Sequence, residues 1–228
     1  MSGRRRSRRA LRIGALVAGA VAATSVPLSA QLAVQASGIA TLSEHRVNAG
    51  SGVEQASGTL LGGEGRLFIG SRVEIFMHAA AGKLTADSTA ADNRDVAEAE
   101  VRASVLTVPW LALHAGVSSR SYTTTLVRQR WTALRFGGEA RFAFVRGGVT
   151  GVLRAEILPS VSVSGLEKPN RAFAAGAGFD WNISLVTMGV RYELERYDFP
   201  LTAGVERREQ LSTLTAHVGL GLGRHATP

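Results

Sequence analysis

Along residues 71–82 the side chains alternate in character with each step. Val73, Ile75, Met77, Ala79 and Ala81 share one parity, while Arg72, Glu74, Phe76, His78 and Ala80 share the other. A helix of 3.6 residues per turn would scatter these two sets around its circumference, whereas a strand sends them to opposite faces. The same split recurs and predicts strands at 31–43, 59–69, 71–82, 96–107, 110–120, 131–145, 148–163, 171–182, 184–196 and 210–222. In the first of these, Gln35, Ser37 and Thr41 alternate with only modest apolar residues.

The connections alternate too. Short ones fall at Gly70-Ser71, Val108-Pro109, Arg146-Gly147-Gly148 and Asp180-Trp181-Asn182, and longer polar ones at 44–58, 83–95, 121–130, 164–170 and 197–209. Short turns at one end and long loops at the other predict an antiparallel up-and-down transmembrane β-barrel. An even count of ten strands returns the chain to its starting side. Losing one hairpin from the assignment would leave eight.

The composition of the two faces decides between a soluble and a membrane barrel. Alternate residues of 61–69, 73–81, 97–105, 111–117, 134–144, 149–163, 173–183, 186–194 and 214–222 give 49 positions without one Asp, Glu, Lys or Arg, in a chain that is 19% charged. The opposite face carries Glu64, Arg66, Arg72, Glu74, Glu98, Glu100, Arg102, Arg135, Glu139, Arg141, Arg154, Glu156, Asp180, Arg191, Glu193 and Glu195. A soluble barrel would turn those charges to solvent and bury the apolar face. That face is rich in Ala and Gly and would fill a soluble core poorly. Acid and base lie two residues apart at mid-strand, where they can pair across a narrow lumen. The expectation is therefore an apolar face on lipid and a charged lumen.

Aromatic residues gather at strand ends. Trp110 and Trp181 flank short turns, Trp131 a long loop, and Tyr122 and Tyr197 flank long loops, as an interfacial girdle would require. Only Trp181 has outward parity, so Trp110 and Trp131 need a local twist or bulge.

The net charge of +8 is concentrated at one end. Residues 1–30 hold Arg4, Arg5, Arg6, Arg8, Arg9 and Arg12 and no acid, and the remaining 20 bases face 18 acids. This removes the electrostatic case for a nucleic-acid partner. The basic run leads into an apolar stretch at 13–26 and then Pro27-Leu28-Ser29-Ala30. That is the layout of a secretory signal cleaved after Ala30, leaving 31–228 as one barrel domain. Ser7-Arg8-Arg9-Ala10-Leu11 also fits a twin-arginine export signal. The absence of cysteine excludes disulfides, Cys-bound zinc and Cys nucleophiles.

In its alternating strands, turn pattern and leader, the chain resembles the small bacterial outer-membrane β-barrel proteins. The resemblance covers the mature chain as pattern and carries no diagnostic motif. It implies outer-membrane lipid, the secretion route and a barrel-assembly machine as partners. Such a machine reads the last strand, often at a terminal aromatic residue. Here that strand reads Leu214-Thr215-Ala216-His217-Val218-Gly219-Leu220-Gly221-Leu222 and lacks the aromatic. Pro159 on the lipid face is a second departure, tolerable at a bulge or above the membrane.

Candidate chemistry is sparse. Of His45, His78, His114, His217 and His225, the middle three have lumen parity, and none has the spacing of a metal site. His78 and His114 belong to opposite ends of the lumen. Some outer-membrane barrels are hydrolases: omptin-type proteases use acids and His near the outer rim, and lipid A deacylases use His with Ser. His114 with Ser118 is the nearest local counterpart, but four residues of strand span about 13 Å, too far for a base to activate a serine. Asp87, Asp92 and Asp95 read as a turn-forming loop, with calcium the alternative for the first two. No catalytic residue, metal or cofactor is expected. The leading expectation is a barrel with a charge-filled lumen, structural or acting through external loops on an external ligand. The alternative is a narrow channel for small polar solutes. A hydrolase, or a soluble periplasmic barrel binding an apolar ligand, follows behind.

Overall fold

In a computed structural model the described residues are 32–222, apart from 51, 89–91, 146–147 and 203. The leader at 1–30 and His225 lie outside them. Ten strands follow in order: β1 (Leu32–Ala49), β2 (Gly52–Ile69), β3 (Val73–Ala86), β4 (Arg94–Val108), β5 (Leu111–Thr123), β6 (Arg128–Val145), β7 (Val149–Val163), β8 (Arg171–Ile183), β9 (Val186–Asp198) and β10 (Arg207–Leu222). Each pairs antiparallel with the next, and β1 closes on β10, giving a closed up-and-down barrel. Closure removes the two edge strands that an open sheet would have.

The expected strands are all present, but they run further toward the loop end. The expected loop at 44–58 is instead a continuous hairpin, with Ala49 paired to Gly52. On β1 the outward apolar residues stop at Leu42, above which Glu44 and Arg46 face out. The hydrophobic signal ends there while the hydrogen-bond ladder continues. At the other end, β8 passes through the expected turn at Asp180-Trp181-Asn182, and the reversal is at Ser184 and Leu185. Ser184 takes a φ of 57°, a left-handed conformation that costs a residue with a Cβ.

The outward face carries an apolar belt at the turn end, with Leu61, Met77, Val101, Leu113, Phe136, Leu153, Ile157, Phe179, Val218 and Leu222 all exposed. The outward phase reverses within β7. Leu134 pairs with Ser160 but Phe136 with Ile157, so β7 carries an extra residue. Beyond this bulge Val161 and Val163 turn inward with Leu158, contrary to the outward phase expected for 159–163. Pro159 sits in the bulge, where its missing N–H interrupts no ladder bond.

The interior has two layers. The turn-side and middle part is charged. Toward the loops lies an apolar cluster built on Leu60, Leu84, Val96, Tyr122, Trp131, Val161, Tyr197 and Phe199. A lumen filled by charge alone is thus corrected: the inward positions become apolar and aromatic at the loop end.

Candidate functional site: the charged lumen

Inward parity on β2, β3, β4, β6, β7, β8 and β9 brings Glu64, Arg66, Glu74, Glu98, Glu100, Arg102, Arg135, Glu139, Arg141, Arg154, Glu156, Asp180, Arg191, Glu193 and Glu195 to the lumen. Arg72 is the exception, being exposed in the turn between β2 and β3. The alternation does not extend into that turn.

Arg135 lies at the centre of the network and is 1% exposed. Its Nε donates to Glu156 at 2.6 Å, Nη1 to Glu195 at 2.5 Å and Nη2 to Glu193 at 2.6 Å. Three carboxylates from β7 and β9 thus use the fork of one guanidinium, the geometry in which such bonds are strongest. Glu156 also receives the ring of His114 at 2.8 Å, and Arg102 and Arg154 lie at 3.6 and 3.7 Å. Arg154 in turn binds Glu193. The next inward position on β6 is Gly137, where a Cβ would meet Cγ of Glu156 at 2.8 Å. Glycine there lets the glutamate reach across.

The links cross the barrel. Arg120 of β5 donates to Glu195 of β9 at 2.8 Å and to Glu98 of β4 at 3.0 Å, and Glu98 also meets His78 at 3.1 Å. Toward the turns, Arg141 of β6 binds Glu74 of β3 and its own neighbour Glu139, both at 2.7 Å. Arg191 binds both oxygens of Asp180 at 2.9 Å, and His217 lies 3.4 Å from that carboxylate. Phe76 faces inward among them with the Arg102 guanidinium 4.6 Å and the Arg66 guanidinium 5.5 Å from its ring centre. A cavity of about 90 Å³ remains, lined by Thr41, His78, Glu98, Arg120, Glu193 and Thr213 among others.

The aromatic girdle is half corrected. Trp181 is exposed on the outward side of β8, and Trp110 is exposed in the turn between β4 and β5. Trp131, Tyr122 and Tyr197 instead point into the barrel and are each 5% exposed. Trp131 meets Tyr197 edge-on at 5.0 Å and Phe199 at 6.0 Å, and the Tyr197 hydroxyl donates to Glu195 at 2.8 Å. They form a lid on the charged layer. Their parity on the extended β5, β6 and β9 could have shown this, because each shares a face with Arg120, Arg135 or Glu195.

Several inward polar residues escaped the sequence reading for the same reason. His45, Arg94, Arg120, Arg207 and Glu209 lie on strand portions assigned to loops or strand ends. His45 Nε2 is 2.9 Å from Glu209, its Nδ1 is 2.9 Å from Arg94, and its ring stacks on Tyr122 at 4.7 Å. His114 and Ser118 remain apart in function: the ring of His114 is directed to Glu156. Asp87 and Asp92 lie in the β3–β4 loop and Asp95 on β4 opposite Lys83, and among the described residues they form no cluster that could hold a metal.

No family model and no curated protein matches the chain. Solved structures do. The outer membrane protease OmpT from Escherichia coli aligns over 84% of this chain and 97% of its own, at 9% identity and a TM-score of 0.54. This chain has the fold of an outer-membrane β-barrel. The translocator domain of the autotransporter NalP from Neisseria meningitidis covers 84% of this chain and 88% of its own, at 14% identity and a TM-score of 0.44. The attachment invasion locus protein Ail of Yersinia pestis covers 85% and 99%, at 11% identity and a TM-score of 0.35. At 9% identity the likeness to OmpT is one of fold alone.

Proposed function

We infer that the protein is a bacterial outer-membrane barrel with a closed lumen, serving as a structural element or through its loop-side rim. Membrane residence is supported by the inversion of the two faces: carboxylates and guanidiniums inside, large apolar side chains outside. Outward apolar residues run from Leu214 to Leu222 on β10. That is about 27 Å of strand and, at the usual tilt of about 40°, roughly 21 Å of height, near the apolar band of about 25 Å on membrane barrels. A soluble protein would not expose so continuous an apolar surface.

The observation that carries the closed lumen is the set of bonds from Arg120 and Arg135 to Glu195, which tie β5 and β6 to β9 through the barrel's interior. The Trp131–Tyr197–Phe199 layer lies over them. A hydrolytic role finds no comparable support. OmpT is a protease, yet the His–carboxylate pair at the loop side of this chain, His45 and Glu209, is 4% and 1% exposed, and Arg94 occupies the other ring nitrogen.

Single-channel recording of the protein refolded into a planar bilayer tests the reading, with heat-dependent gel mobility to show that the barrel is folded. A folded, inserted and silent barrel is expected. Discrete steps would replace the closed lumen by a narrow channel, and a protein that stays in solution without detergent would remove the membrane reading itself.

A further inference from the structure

Above the apolar belt the outward positions become basic on one side of the barrel. Strand register places Arg171, Asp198, Arg208 and Asn48 in one row across β8, β9, β10 and β1. The next outward row toward the turns is Phe173, Arg196, Gln210 and Arg46. Asp198 accepts from Arg196 at 3.1 Å and from Arg208 at 2.9 Å, so one carboxylate is shared by two guanidiniums. Arg208 also reaches Glu206 at 3.1 Å. The side chains of Arg46 and Arg171 are exposed and make no ion pair or hydrogen bond among the described residues. Four arginines against Asp198 leave these two rows positive, with Glu206 in the loop and Glu44 one row below as the nearest further acids. On β3 and β4 the comparable outward pair is neutral, Lys83 opposite Asp95, while β6 carries the outward Arg128 and Arg130 at the same end.

Below the basic rows come Leu194, and then Tyr192 beside Leu214 and Leu42. We propose that this face, with Arg46, Arg171, Arg196 and Arg208 beside Phe173 and above Leu194, binds the phosphate of an anionic lipid headgroup whose chains lie down the apolar rows. The inference rests on the membrane reading above. Guanidiniums present paired donors matched to phosphate oxygens. Their height, two or three rows above Leu42 and Leu214, is that of the headgroups, where each basic residue adds attraction for anionic lipid. The free arginines flank a shared carboxylate that holds Arg196 and Arg208 in place, so the donors are arranged before the ligand arrives.

The test uses the folded protein in neutral detergent with equal amounts of phosphatidic acid and phosphatidylcholine, and measures the lipid retained through gel filtration. Wild type should retain phosphatidic acid in preference. The double variant Arg46→Gln, Arg171→Gln, which breaks no bond of the fold, should lower that retention about tenfold, while Lys83→Gln on β3 leaves it unchanged. Inorganic phosphate at the same concentration should not displace the lipid. Retention unchanged in the double variant overturns the proposal, as does an equal loss with Lys83→Gln. Displacement by inorganic phosphate would make this a free-anion site. The membrane reading fails separately, by the barrel remaining in solution without detergent.

Discussion

Pro159 lies opposite Arg135 in the β6–β7 ladder, sharing that place with Leu158. The extra residue lets Glu156, on the turn side, and Val161, on the loop side, both face inward although their spacing is odd. The bulge therefore marks the boundary between the charged layer and the aromatic layer on this strand. The chain has no cysteine, so single cysteines can report the phase directly. Ser160→Cys and Ser162→Cys should react readily with a water-soluble maleimide on the folded protein, and Val161→Cys should not. Fast labelling at 161 with protection at 160 and 162 would mean that the strand continues without a bulge.

Removing the Arg135 guanidinium leaves Glu156, Glu193 and Glu195 facing one another without their shared partner. Arg135→Met should lower stability by about 3–5 kcal/mol, the range for breaking a buried pair on one side. Arg135→Lys keeps the charge but cannot serve three carboxylates in a planar fork, and should recover only part of the loss. Urea unfolding in micelles, followed by tryptophan fluorescence, measures both. Equal stability of Arg135→Met and wild type would show that the network is dispensable to the fold.

Much of this was legible in alternation alone. A period of two is either kept or lost, and nine strands kept it well enough for Glu98, Glu100 and Arg102, or Glu193 and Glu195, to be placed in the lumen. Two physical causes hid the rest. Above the belt the outward residues become Arg, Asp and Asn, so Trp131 and Tyr197 looked like strand ends at an interface when they are inward positions of strands that continue. At Pro159 a single extra residue reverses the phase, and no property of Leu158, Val161 or Val163 by itself reveals it. Pairings across the barrel, such as Arg120 with Glu195, depend on closure and shear and have no sequence signal.

The outward belt predicts a strong dependence on depth. Leu153 and Phe142 face out within it. Leu153→Arg or Phe142→Arg should each cost about 2–4 kcal/mol in a bilayer, falling toward zero for Ser162→Arg, which faces out above the belt. Reversible unfolding from lipid vesicles gives the three values. A flat series would contradict an apolar surround at Leu153.

Ser184 carries left-handed strain in a two-residue turn, between Ile183 and its partner Val186. Ser184→Gly removes the clash of the Cβ with the backbone and should raise stability by about 1 kcal/mol, less the extra flexibility glycine gives the unfolded chain. The gain is expected in the unfolding midpoint with no change in slope. A loss of stability would show that the serine side chain contributes more to the turn than its conformation costs.

The aromatic and charged layers lie in series along the lumen, and the closed-lumen reading makes a conductance prediction from the two together. The aromatic layer is apolar and edge-packed, with Trp131 touching both Tyr197 and Phe199. The Arg135 network lies below it and is tied to β9 by charge. Opening one leaves the path shut at the other. Trp131→Ala should therefore stay silent in a planar bilayer, and so should Arg135→Met. The double variant joins the space above to the existing cavity of about 90 Å³ and should conduct in small discrete steps. Those steps should favour cations, because loss of Arg135 leaves Glu156, Glu193 and Glu195 lining the gap. Conductance from Trp131→Ala alone would show that the charged layer does not seal, and silence from a folded double variant would place a further closure nearer the turns, at Arg141 and Glu74.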